Sequence, residues 1–183
     1  FWYKSLEQVK NKSDLIIIAT NALGRVDLIQ KLLDLGHKRF IIEKVVCQSS
    51  DEYENLLLFM KKFHAKGWIN TNRRYFKAYR KLKEKFVGSN DIYLSVFAGN
   101  SGLGTNAIHF LDLFSWLVED HKIKLNGEFL MNQISDNKKG ENFKEFLGTL
   151  IGFSKNSFIS LTFFPAKKES FIIKIYGKEG FAY

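Results

Sequence analysis

A chain of 183 residues, 45% hydrophobic and 15% aromatic, can bury the core of one large domain or two small ones and reads as globular. No apolar run approaches the roughly 18 residues needed to span a bilayer and no charged-then-apolar leader opens the chain, so a cytoplasmic protein is expected. The single cysteine, Cys47, rules out an intrachain disulfide and a thiolate metal centre, and the net charge of +9 raises a nucleic acid, a membrane surface or an anionic small molecule as partner.

The first residue is Phe1, and the segment before Asp14 holds a short helical stretch, Lys4 to Lys12, without a preceding strand; it looks like the end of something larger. Asp14 to Ala19 then reads as a strand, Arg25 to Leu35 as a helix stopped by Gly36, and Lys38 to Ile42 as a second strand. A short branched apolar run, a helix and another such run form the βαβ signature of a parallel sheet, with strands buried on both faces. Within the helix Val26, Ile29, Leu32 and Leu33 fall on one face. Ser49 or Ser50 caps the next helix, with Glu52 and Glu54 early and Leu56, Leu57, Phe59, Met60 and Phe63 on its buried side. Gly67 stops that helix, and Trp68 to Asn70 gives a third strand ending in Asn72-Arg73-Arg74. Tyr75 to Phe86 is helical, with Tyr79, Leu82 and Phe86 on one stripe, and Val87 to Asn90 breaks it.

From Asp91 the pattern changes. Ile92 to Phe97 is a strand, Gly99 to Gly104 a Gly-rich loop, and a helix runs from about Asn106 to Val118. Four strands complete the chain: Ile123 to Met131, Phe143 to Phe153, Phe158 to Phe164 and Phe171 to Tyr176. They are separated by Asp-Asn-Lys, Ser-Lys-Asn and Pro-Ala-Lys turns. Alternation in Phe158-Ile-Ser-Leu-Thr-Phe163 buries one face, the antiparallel habit. The fold class is therefore α/β: a partial Rossmann-type parallel sheet over residues 1–88, followed over 89–183 by an α+β substrate and dimerisation domain with an open antiparallel sheet.

In an open α/β sheet ligands bind outside the carboxyl ends of the strands, which directs Thr20-Asn21, Glu43-Lys44 and Asn72-Arg73-Arg74 to one crevice. A lysine at such a strand end can offer its ammonium to a substrate oxygen or a cofactor amide; an ordinary exposed ion pair is the alternative. On the later helix Thr105, Asn106, His109 and Asp112 make one polar patch on an apolar cylinder. Asp112, three residues after His109, could orient the imidazole for proton transfer with a hydroxyl; a core histidine is the alternative. The loop Gly99 to Gly104 is either a phosphate cradle or a plain helix entry, and lacks the Rossmann spacing. His37, His64 and His121 read as surface residues, and Cys47 has no evident base to make it a nucleophile. The cluster Arg73, Arg74, Lys77, Arg80, Lys81, Lys83 and Lys85 is either a solvated helix face or an anion-binding patch.

These residues together resemble the glucose-fructose oxidoreductase, inositol dehydrogenase and rhizopine-catabolism family (Gfo/Idh/MocA) of NAD(P)-dependent enzymes. The likeness lies in Ile18-Ala19-Thr20-Asn21, Glu43-Lys44-Val45, Asn72-Arg73-Arg74 and the helix from Gly102 to Asp112. It implies that Lys44 touches substrate and nicotinamide and that His109 exchanges a proton with the substrate hydroxyl. Thr20, Asn21, Glu43 and Lys44 would line the NAD or NADP, and Arg74, Thr105 and Asn106 the substrate. Val45 and Asn21 replace prolines, Arg25 stands where a histidine is common, and Thr105 holds the position of a catalytic aspartate, which indicates a divergent branch. The family's G-x-G-x-x-G loop is absent from this sequence and expected roughly 60 residues upstream; the end at Tyr183 also falls early. The expected function is an oxidoreductase acting on a hydroxyl of a sugar or nucleotide-linked sugar, as in surface polysaccharide synthesis. It would hold no metal, bind neither nucleic acid nor membrane, and form a homo-oligomer through the antiparallel sheet. Its rival is a non-catalytic binding or assembly module that keeps the fold without the cofactor.

Overall fold

The computed structural model describes residues 2–9, 11–89, 91–99, 101–137, 140–166, 170–178 and 180–182. Asn90, Asn100, Lys138 and Lys167, placed above in turns and in the Gly-rich loop, lie outside them, as do Phe1 and Tyr183. Two compact units divide between Asn70 and Thr71.

Unit 1 is built on the expected βαβ pattern. After a short 3-10 turn, Leu6–Gln8, come β1 (Ile16–Ile18), α1 (Arg25–Asp34), β2 (Arg39–Ile42), α2 (Ser50–Lys62) and β3 (Lys66–Ile69). The three strands are parallel in the order β1-β2-β3. Val26, Ile29, Leu32 and Leu33 of α1 are buried with Phe40, Ile42 and Leu56, as the period of the helix requires. Gly36 ends α1 at φ 86°, and the His37 N–H closes the turn on the Leu32 carbonyl at 3.0 Å. Ser49 caps α2, its Oγ accepting from the Glu52 N–H at 3.1 Å, while Glu52 reaches back to the Gln48 N–H at 2.8 Å.

Three expectations are corrected in this unit. Strands were expected to be buried on both faces, but the row Ile17, Ile41, Trp68, which the register places side by side, includes an exposed Ile17 and Trp68. Right-handed crossovers put α1 and α2 on the same side of three strands added in one direction, so one face is left uncovered. Leu57 is exposed, because the buried stripe of α2 runs through Leu56, Phe59, Met60 and Phe63. Gly67 does not stop α2: the chain turns at His64, with φ 50°. Gly67 instead lies inside β3, where a Cβ would come within 3.1 Å of Met60 Cε and 3.3 Å of Ile42 Cδ1.

Unit 2 contains a 3-10 turn, Arg73–Tyr75, then α3 (Lys77–Lys85), β4 (Tyr93–Gly99), α4 (Leu103–Val118), β5 (Lys124–Asn137), β6 (Gly140–Ser154), β7 (Ser157–Phe164), β8 (Ser170–Gly177) and β9 (Gly180–Ala182). The strands form one sheet in the order β5-β6-β7-β4-β8-β9. Its pairings are antiparallel except β4 with β7, which is parallel. Leu94, Val96 and Ala98 of β4 and Ile159, Leu161 and Phe163 of β7 point to the inner face, where Leu103, Phe110, Leu113, Phe114 and Leu117 of α4 cover them. The segment 71–88 was assigned to the first domain by sequence. Here Phe86 is buried in the core of unit 2, with Tyr79 and Leu82 packed against it, so the stripe read on α3 is real and serves the second sheet.

Candidate active site

The predicted residues fall into two sets, one in each unit, and each is described within its own unit. In unit 1 the carboxyl ends of the parallel strands carry Thr20, Glu43 and Asn70. The peptide between Lys44 and Val45 is cis. The organising side chain is Arg25, the first residue of α1, only 2% exposed. Its guanidinium donates to the carbonyls of Thr20, Glu43 and Val45, fastening the ends of β1 and β2 together. Burial lowers its pKa, opposed by the nearby Glu43 charge, and a guanidinium stays charged all the same. Glu43 is held from the other side by Asn70, whose Nδ2 donates to Oε1 at 2.5 Å. On this fixed floor Thr20 and Asn21 are exposed and Lys44 is half-buried. A cavity of about 400 Å3 in the same unit is lined by Leu6, Val9, Ile16, Leu28, Leu32 and Thr20.

In unit 2 the polar patch of α4 exists as expected, with Thr105, Asn106, His109 and Asp112 all half-buried. The helix starts at Leu103, earlier than the sequence pattern indicates, so Gly104, Thr105 and Asn106 form its first turn. Asn106 Nδ2 donates to the Gly102 carbonyl at 2.9 Å and Thr105 Oγ1 to the same oxygen at 3.4 Å. Asp112 accepts two hydrogen bonds from Arg74, one from Nε at 2.9 Å and one from the adjoining amino group. This fork-to-fork pair raises the Arg74 pKa, the hydrogen bond to Asp112 being the largest cause. Both carboxylate oxygens and two of the Arg74 nitrogens are thereby committed to each other.

Sequence reasoning missed Glu145. It lies on β6, is 3% exposed, and its Oε2 accepts from the Thr105 N–H at 3.2 Å. The carboxylate sits so close to Gly102 that a Cβ there would fall 1.8 Å from Cδ. The amino end of α4, where a phosphate cradle was one expectation, thus carries a protein carboxylate, which satisfies the same helix-end donors. No local signal pointed to Glu145, since the neighbouring Phe146 argues for the opposite strand phase. Arg25 did leave a signal: a cation in the first turn opposes the helix dipole, and such a residue needs acceptors elsewhere.

The remaining candidates separate cleanly. His37 was read as a surface residue, but it is 4% exposed, folded under the end of α1, with Nδ1 accepting from the Ser13 N–H at 3.3 Å. His64 and His121 are exposed, and Nδ1 of His121 lies 3.0 Å from Ser115 Oγ. Cys47 Sγ donates to the Ser49 carbonyl at 3.4 Å; burial, then the Glu52 charge, pushes its pKa up, which disfavours the thiolate. Among the described residues no group of three or more His, Cys, Asp or Glu could hold a metal ion, and no helix is long and apolar enough to cross a membrane.

The class of fold is now defined: a parallel βαβαβ unit ending its second strand in Glu43-Lys44, then a mixed sheet backed by the helix that carries His109. No family model matches the chain, and no curated protein matches it in sequence. Solved structures do match its fold, and they are dehydrogenases of the Gfo/Idh/MocA type. One is a dehydrogenase (MviM) from Clostridium difficile, at TM-score 0.70 and 17% identity, over 98% of this chain and 65% of that one. Another is GenD2 from gentamicin A biosynthesis in complex with NAD, at TM-score 0.75 and 13% identity, over 98% of this chain and 57% of that one. A third is scyllo-inositol dehydrogenase from Lactobacillus casei with bound NAD(H) and scyllo-inositol, at TM-score 0.65 and 16% identity, over 95% of this chain and 58% of that one. The chain spans less than two thirds of the length of each, and the likeness is one of fold.

Proposed function

We propose that this chain belongs to an NAD(P)-dependent oxidoreductase that acts on a hydroxyl of a sugar or nucleotide-linked sugar. The observation that supports this most is the fold match over 98% of the chain to dehydrogenases, together with Lys44 at the carboxyl edge of β2 and His109 on α4. The residues of unit 1 fit the nicotinamide end of such a cofactor. An exposed hydroxyl on Thr20, an exposed amide on Asn21 and the Lys44 ammonium are the donors and acceptors that a carboxamide and ribose hydroxyls require. Arg25 keeps the strand ends that carry them in place, and Asn70 steadies Glu43, the residue before Lys44. When bound, the cofactor supplies the hydride acceptor.

In unit 1, Lys44 offers its ammonium to the cofactor carboxamide. His109 takes the hydroxyl proton as the carbinol carbon is oxidised and returns it in the reverse direction. Thr105 and Asn106 are anchored on the Gly102 carbonyl and position the start of α4. The assignment of cofactor binding to unit 1 and of substrate binding to unit 2, and a role in surface polysaccharide synthesis, belong to the same proposal. The test is turnover by the product of the whole reading frame: Lys44→Ala and His109→Ala should each lower kcat by about 100- to 10,000-fold. Normal turnover in both variants would exclude this assignment.

A second reading, an assembly module, is supported by the outer face of the unit 2 sheet. Tyr93, Phe97, Phe153, Phe158, Ile172 and Tyr176 are exposed there and are joined by direct register; an open apolar face of this breadth suits a two-fold contact between copies. Calorimetry with NADH and NADPH separates the readings, because an assembly module gives no heat with either.

A further inference from the structure

Two arginines stand side by side at the start of unit 2, and they are used differently. Arg74 is spent on Asp112. Arg73 is half-buried, with its guanidinium carbon 4.2 Å from the ring centroid of Phe110 and 5.9 Å from that of Phe171. Phe110 is fully buried and lies 6.0 Å, centroid to centroid, from Phe171, so the two rings form one aromatic wall for the cation. Among the described residues Arg73 has neither a hydrogen bond nor an ion pair, and its Nε is buried without an acceptor. A planar guanidinium stacked on a ring satisfies its face by cation–π attraction and keeps its N–H edges open. Those edges match a two-oxygen acceptor, a carboxylate or a phosphate, in bidentate geometry. Nε is enclosed by protein, so the edge open to such a group is that of the two terminal amino groups, which are not among the buried atoms without a partner.

The location fits a substrate subsite. Phe110 directly follows His109 on α4, and Asp112, the anchor of Arg74, lies one turn beyond it. The turn Arg73–Tyr75 therefore packs on α4 at the same level as the proposed proton-transfer residue.

We infer that Arg73, held against Phe110 and Phe171, is the specificity-determining residue for an oxyanion carried by the substrate, a sugar carboxylate or a phosphate ester. This rests on the oxidoreductase reading for its placement beside the reacting hydroxyl, but not for the anion binding itself. Arg74 is then a positioning residue that fixes the turn through Asp112.

The experiment is titration calorimetry of the product of the whole reading frame with glucose, glucuronate and glucose 1-phosphate, for the unmodified protein, Arg73→Met and Arg73→Lys. At least one anionic sugar should bind the unmodified protein tenfold or more tighter than glucose. Arg73→Met should erase that preference without altering glucose binding, and Arg73→Lys should restore part of it, with a monodentate ammonium in place of the fork. Preference for glucuronate alone or glucose 1-phosphate alone assigns the oxyanion to a carboxylate or a phosphate. An anionic preference that survives in Arg73→Met, or equal or absent binding of all three sugars by the unmodified protein, overturns the inference. Turnover is read in parallel. Arg73-dependent anion binding without NAD- or NADP-linked oxidation would leave the inference and remove the oxidoreductase reading; oxidation of neutral sugars indifferent to Arg73 would do the reverse.

Discussion

Gly102→Ala is the sharpest test of how α4 is held. Gly102 has extended backbone, φ −82° and ψ 131°, which alanine adopts without strain, so any cost comes from what the new methyl meets. It would fall 1.8 Å from Glu145 Cδ and 2.1 and 2.2 Å from its two oxygens, and the carboxylate must retreat by more than about 1 Å to reach ordinary contact. Its bond from the Thr105 N–H, 3.2 Å long, cannot survive that movement. A lost hydrogen bond to a charged group costs about 1.5–3 kcal/mol, and moving an anion off a helix amino end adds about 0.3–1 kcal/mol. The expected loss is therefore about 2–4 kcal/mol of unit 2 stability. Urea denaturation read at Trp116, with Trp2 and Trp68 replaced by Phe, measures it. In a Glu145→Ala background the clash is gone, and Gly102→Ala should cost less than about 1 kcal/mol. Equal costs in the two backgrounds would refute the idea that Glu145 occupies the helix end.

Arg25→Met strips the carbonyls of Thr20, Glu43 and Val45 of their shared donor and should destabilise unit 1 by about 3 kcal/mol or more; a loss below about 1 kcal/mol in urea denaturation would show that the guanidinium is not a staple. Asp120 accepts from the Lys122 N–H at 3.0 Å and from Ser154 Oγ at 2.8 Å, and these two bonds, the backbone one first, hold its carboxyl below the usual aspartate range. Its contribution to stability is thus complete at neutral pH and lost as pH falls through the folded value. An NMR titration placing its midpoint at or above the ordinary aspartate range would contradict this. Cys47 should react with iodoacetamide more slowly at pH 8 than free cysteine does, since burial keeps its proton on. The folded state holds that proton longer than the unfolded chain, so the same shift removes stability as pH rises. Alkylation at the rate of free cysteine would argue against the burial.

How much was legible in the sequence depended on the range of the interaction. Local period fixes the elements: a branched run, a helical stripe and a stop glycine indicate Asp14 to Ala19, Arg25 to Leu35 and Lys38 to Ile42, and the structure has Ile16–Ile18, Arg25–Asp34 and Arg39–Ile42. The polar patch of Thr105, Asn106, His109 and Asp112 was legible for the same reason, since spacing along one helix is decided by 3.6 residues per turn. The alternation in Phe158 to Phe163 likewise indicates that one face of β7 is buried, and the structure buries Ile159, Leu161 and Phe163.

What the tertiary structure alone decided is which partner each polar group takes. Asp112 looked like the companion of His109, three residues away, but a carboxylate chooses the best-matched donor in space, and Arg74 brings a rigid fork from a turn 38 residues earlier. Glu145 was invisible because strand phase in β6 is set by what α4 presents across the sheet, not by the hydrophobicity of Phe146. Arg25 became the fastener of two strand ends because three carbonyls converge there only once β1 and β2 are aligned. The sequence by itself determined where helices and strands form and which positions carry chemistry, since those follow from contacts a few residues apart. Pairing among buried charges, and with it the contrast between Arg74, satisfied by Asp112, and Arg73, without a hydrogen bond or ion pair among the described residues, followed from contacts that exist only after the chain has closed on itself.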